Sequence, residues 1–123
     1  MRPLLSVLFL FVASASYGVD FAKEVYPLLQ RTCFECHGPE HQKGELRLDT
    51  KAALKHKAIL AGKPEESDLI RRVSLPKENK DAMPKRGEHL KPAEIAKLKA
   101  WIADGAKWPD NVSSLKHWAY VKP

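Results

Sequence analysis

Cys33-Phe34-Glu35-Cys36-His37 holds both cysteines of the chain and the first of its five histidines. Two thiols three positions apart, followed at once by an imidazole, form C-x-x-C-H, the signature of covalent c-type haem attachment. The spacing has a physical basis. Thiols so placed at the end of a helix can reach the two vinyl groups on one edge of a porphyrin, and the next residue turns an imidazole beneath the iron. Thioether bonds then hold the cofactor permanently, with His37 as proximal ligand. Cys33 and Cys36 are therefore candidate cofactor-binding residues, and His37 a candidate metal ligand.

The same five residues admit two rival readings. A zinc site needs four ligands, and with no further cysteine it would have to recruit His41 or His56. A redox disulfide of the thioredoxin type expects a βαβ setting, and no stretch of this chain alternates convincingly with period two. The second axial position discriminates among them. Beyond Met1 the only methionine is Met83, in the charged, proline-flanked loop Asp81-Ala82-Met83-Pro84-Lys85. A methionine that merely fills core space belongs on an apolar helix face, and this segment has none. The separation of 46 positions between His37 and Met83 lets the chain pass round a haem edge and approach from the opposite side. Closing both axial positions with His and Met favours electron transfer over binding of oxygen or peroxide.

Outward from the motif, Phe21, Val25, Leu28 and Leu29 recur at helical spacing behind Asp20 as N-cap, with Pro27 expected to bend or divide the helix. Residues 38–50 read as a loop with room for short extended structure. Lys51 to Leu60 predicts a helix through Leu54 and Ala58, closed by Gly62. Pro64 opens a further helix whose buried face is Leu69, Ile70 and Val73, with acidic residues early and Arg71 and Arg72 late. Residues 76–88 have no packing face and must lie against something. The clearest helix starts at Pro92, places Ile95, Leu98, Trp101 and Ile102 on one side, and stops at Gly105. The expectation is an all-α domain of four or five helices whose long loops wrap a ligand.

Residues 1–18 read as an export signal peptide: Arg2 and Pro3, a run from Leu4 to Ala13 that is apolar except for Ser6, then small residues for cleavage. The run is too short for a membrane-spanning helix, so no stable membrane span is expected after cleavage. Cleavage after Gly18 leaves 105 residues, 40% apolar, with 20 basic and 15 acidic side chains. That is a thin core, which a large apolar ligand would complete. The basic residues are dispersed, so nucleic-acid binding has little support. Residues 19–108 form the expected domain. Residues 109–123 read either as a tail folded over the core or as a linker toward a downstream domain of a longer polypeptide.

Taken together, the first helix, Cys33 to His37, Met83-Pro84 and the helix from Leu90 to Ala106 resemble a class I cytochrome c domain. More narrowly, Cys36-His37-Gly38, Gly44-Glu45-Leu46-Arg47-Leu48-Asp49 and Gly62-Lys63-Pro64-Glu65-Glu66-Ser67 resemble the planctomycete-type cytochrome c domain. The resemblance spans about Phe21 to Trp108. It implies a small helical domain around one covalent haem c, with His37 proximal and Met83 distal, commonly at the front of longer secreted proteins. Lys85 departs from the second proline that often follows Met-Pro in that family. It further implies that Phe21 and Val25 meet Leu98, Trp101 and Ile102 where the first and last helices cross.

Arg47 is a candidate partner for a haem propionate, because a guanidinium can bind a carboxylate through two parallel hydrogen bonds; a solvated surface arginine is the equally ready reading. His41, His56, His89 and His117 read as surface histidines. The expected function is an exported, periplasmic or extracellular electron carrier that is not itself an enzyme and serves an unidentified redox partner protein. Two other classes stay open: a haem peroxidase or gas-binding sensor with an open sixth position, and a structural haem module of a larger protein.

Overall fold

The computed structural model describes residues 18–110. The stretch expected to be an export signal, apart from Gly18, and the segment after Asp110 lie outside the described residues.

Asp20 starts the first helical segment by accepting a hydrogen bond from the Lys23 amide at 3.2 Å, while its own amide donates to Glu24 Oε2 at 2.9 Å. This reciprocal pairing satisfies amides that have no intrahelical partner. The chain then makes one wide π-type turn, Phe21–Val25, before tightening into α1, Tyr26–Thr32. Pro27 explains the change of pitch. It has no amide to donate, and in the first turn of a new helix that deficit costs nothing.

Lys51–Lys55 forms only a short 3₁₀ turn, not the helix expected as far as Leu60. The cause is local. His56 is extended (φ −93°, ψ 143°), and its Nδ1 accepts the Ala58 amide at 3.0 Å, an alternative to helical pairing. Pro64–Glu66 is a further 3₁₀ turn, knotted by buried Ser67, whose hydroxyl accepts from the Leu60 amide and donates to the Lys63 carbonyl. α2 follows, Asp68–Val73, with Leu69, Ile70 and Val73 buried as expected.

The longest helix is α3, Pro92–Ala103, with Pro92 in its first turn and Glu94 Oε1 accepting the Lys91 amide. At Gly105 (φ +103°) the chain turns out of the helix, and the Ala106 amide closes back on the Trp101 carbonyl. Leu98, Trp101 and Ile102 are buried; Ile95 is half-buried at the edge. Burying a side chain such as Leu98 is worth about 1.5–3 kcal/mol.

The core joins these elements. The Phe21 ring lies 5.4 Å from Trp101 and 4.6 Å from Trp108, and Val25 shares the same buried cluster with Leu98 and Ile102. The Trp101 indole donates to the Lys107 carbonyl, so the indole nitrogen is not left dry. The described residues contain no strand, only an isolated bridge between His37 and Gln42. The all-helical class is thus met with three α-helices and short turns, and most of the chain between α1 and α2 is loop.

Candidate cofactor site

Thr32, the last residue of α1, leads directly into Cys33, and the helical path continues for one more turn. The Cys33 amide reaches the Leu29 carbonyl at 2.8 Å and the His37 amide reaches the Cys33 carbonyl at 2.9 Å. Cys33, Cys36 and His37 therefore stand on one turn. At Gly38 the path breaks: its amide turns to the His41 carbonyl at 2.8 Å, and a Cβ placed there would lie 2.2 Å from the Phe34 carbonyl oxygen. Only glycine fits.

His37 is oriented by backbone. Its Nδ1 lies 3.2 Å from the Leu46 carbonyl, which can only accept. The neutral ring thus carries its proton on Nδ1 and leaves Nε2 as a free lone pair, the arrangement typical of metal-ligating histidines. The Leu48 amide bonds the His37 carbonyl at 2.7 Å and holds the 46–48 strip against the motif.

Both thiols are free. Burial raises the Cys33 thiol above its ordinary value; a hydrogen bond with Thr32 opposes this and neighbouring Cys36 adds to it, so the protonated thiol is favoured. The Thr32 hydroxyl lies 3.2 Å from the Cys33 sulfur and also donates to the Leu28 carbonyl at 2.6 Å.

Met83 comes from the 76–88 loop, which the sequence required to lie against something. It lies against α2. The Met83 amide donates to the Arg72 carbonyl at 3.1 Å, and the Arg72 guanidinium reaches the Asp81 carbonyl at 3.4 Å while holding Asp68 at 2.7 Å. Ala82 beside Met83 is buried, and the Met83-Pro84 peptide is cis. The Arg72 hydrogen bond, aided by Arg71, keeps the Asp68 carboxyl below the usual carboxylate range.

These segments enclose a cavity of about 390 Å³ lined by Cys33, Cys36, His37 and Met83 together. That size lies within the range of about 300–1,000 Å³ usual for cofactor and ligand sites. Its apolar wall is Leu46, Leu48, Ala58, Leu69 and Val73. Its polar lining includes five lysines and arginines against two carboxylates, Glu35 and Asp68. Two thiols, one imidazole with a free nitrogen, one thioether, a greasy wall and surplus positive charge fit a haem c. The iron chemistry suits the soft and borderline donors, and the cationic lining suits two propionates.

The structure places Arg47 elsewhere. Its guanidinium grips the buried Asp49 carboxylate through two bonds, 2.6 and 3.0 Å, and Arg47 does not line the cavity. Of the histidines, His41 is exposed, and His89 is half-buried outside the cavity lining. His117 lies outside the described residues. His56, expected at the surface, is half-buried and lines the cavity. Sequence reasoning also passed over Arg72 as a fastening for the Met83 loop and the Leu46 carbonyl as the orienter of His37. No side-chain pattern announces a backbone acceptor. Among the described residues there is no cluster of three or more His, Cys, Asp or Glu that could hold a metal ion, and no helix is long and apolar enough to cross a membrane.

The planctomycete cytochrome C family matches residues 33–87, a stretch that runs from the first cysteine of the motif past the Met83 loop. No curated protein and no solved structure matches the chain.

Proposed function

We propose that this chain is an exported c-type cytochrome that passes single electrons through one covalent haem c. Cys33 and Cys36 form the thioethers, His37 is the proximal ligand and Met83 the distal one. The observation that carries the reading is the convergence of these four side chains, with His37 and Met83 46 positions apart in sequence, on one apolar cavity. A bound haem supplies an iron that changes oxidation state while the protein undergoes no covalent change.

The chain's own residues do the rest. The Leu46 carbonyl fixes the His37 ring so that Nε2 faces a metal as a lone pair. Arg72 ties the Met83 segment to α2, which keeps the thioether from drifting off the iron. Leu46, Leu48, Leu69 and Val73 exclude water, and the cationic lining offsets cofactor carboxylates in a site of low dielectric. Export to the periplasm or beyond rests on the N-terminal signal and suits haem c maturation. The partner is a redox protein able to approach the cavity mouth.

The test is the holoprotein made with a haem c maturation system. One haem should stay with the chain through acid-organic extraction, and the oxidised form should show a weak sulfur-to-iron band that Met83→Ala removes. Met83→Ala should also lower the reduction potential and admit carbon monoxide, whereas His41→Ala and His89→Ala should change neither. A wild type that binds carbon monoxide without displacing a ligand would mean an open-site sensor or peroxidase instead.

A further inference from the structure

His56 is the unexpected member of the cavity lining. Its ring is held from behind: Nδ1 accepts the Ala58 amide at 3.0 Å, inside a turn whose Ala58 carbonyl in turn takes the Leu69 amide of α2 at 2.9 Å. An amide can only donate, so Nδ1 must be the lone-pair nitrogen. The proton of the ring therefore sits on Nε2, the opposite of the assignment at His37. His56 is for this reason a poor iron ligand and a good hydrogen-bond donor. Nε2 has no protein partner among the described residues.

The other donors of the lining serve this role less well. Arg72 is engaged by Asp68 and the Asp81 carbonyl, and Lys85 reaches back to the Lys80 carbonyl. Lys43, Lys57 and Arg86 are exposed and have no ion-pair partner among the described residues, so their long side chains lose rotamer freedom when fixed. Among these donors His56 alone is half-buried, fixed by a backbone bond, and left with a free N–H. A half-buried donor facing a low-dielectric space is a preset site for an anionic acceptor.

We infer that His56 Nε2–H is the fixed donor to a haem propionate, the role first considered for Arg47. The inference rests on the haem c reading above. A bonded propionate has part of its negative charge compensated, so it stabilises ferric iron less and the reduction potential is higher than without the bond.

Two substitutions separate the donor from the scaffold. In His56→Asn the amide oxygen can still take the Ala58 N–H, but the side chain is too short to reach where Nε2–H stands. His56→Gln carries an N–H donor out to the Nε2 position. Potentiometric titration of the holoproteins should show His56→Asn lowering the ferrous-to-ferric ratio at a fixed poise by about threefold. His56→Gln should return most of it, the sulfur-to-iron band should hold in both, and the thermal midpoint should hold in His56→Asn, which keeps the acceptor for the Ala58 amide. The inference is overturned if His56→Asn leaves the potential in place, if both variants lower it equally, or if either loses the sulfur-to-iron band. Wild-type haem that extracts with acid and solvent refutes the haem c reading and this inference together. Covalent haem with an unmoved potential refutes the inference alone.

Discussion

Replacing Gly38 with alanine tests how tightly the attachment turn is built. The added Cβ would sit 2.2 Å from the Phe34 carbonyl oxygen, about 0.8 Å inside the 3.0 Å that real Cβ contacts respect. The obstacle is backbone within the attachment motif, so no side chain can swing aside. Relief requires the turn to open, and the turn is fixed on both sides by the His37 amide on the Cys33 carbonyl and the Leu48 amide on the His37 carbonyl. Overpacking of this kind costs about 3 kcal/mol, the upper part of the usual range. At a urea dependence of about 1.5 kcal/mol per molar, the unfolding midpoint of the holoprotein should fall by roughly 2 M. Gly44→Ala is the control. Gly44 has φ +67° but open space around it, so that change costs only the left-handed backbone penalty, about 1 kcal/mol. Urea titrations followed by circular dichroism decide the matter. If Gly38→Ala and Gly44→Ala shift the midpoint equally, the close approach to Phe34 is not what demands glycine.

Changing Cys33 and Cys36 together to serine should leave a haem-free chain that unfolds without cooperativity, because the cavity bounded by Leu46, Leu48, Leu69 and Val73 then loses the ligand that would fill it and the remaining core is thin; a sharp calorimetric transition would contradict this. Asp68 should impose an acid limit. Its carboxyl is held low chiefly by Arg72, so its stabilising contribution is complete above the ordinary carboxylate value near 3.9 and is lost as pH falls through the lower folded value. Urea midpoints measured from pH 6 down to pH 2.5 should therefore fall more steeply in wild type than in Asp68→Asn, and parallel curves would refute the assignment.

Legibility in the sequence divided along a physical line. That Cys33 to His37 and the Met83 loop belong together, and where α3 runs, could be read because each depends on residue types at fixed spacings, and the burial of Leu69, Ile70, Val73, Leu98, Trp101 and Ile102 follows from helical periodicity. Lys51 to Leu60 misled because its composition favours helix, while one histidine side chain captures the Ala58 amide and ends the turn early. Whether an imidazole prefers its own backbone to solvent is not written in local pattern. Arg47 misled for a related reason: a guanidinium suits any carboxylate, and Asp49, two residues on, meets it within the chain. The fastening of the Met83 segment runs through a backbone carbonyl of Arg72, which only the folded chain brings within reach.

Phe21 and Trp108, near opposite limits of the described span, face each other at 4.6 Å between ring centroids. A fold that clasps its entrance to its exit can be spliced into a surface loop of a host protein across a hairpin-sized gap, with neither partner stretched. The same clasp makes circular permutation feasible: a short polar bridge joining the two ends would let new termini open in the exposed residues around Lys77 to Lys80, away from both thiols and the imidazole. Moving the break there would also release the sulfur-bearing segment from one side, turning a passive tether into an adjustable one.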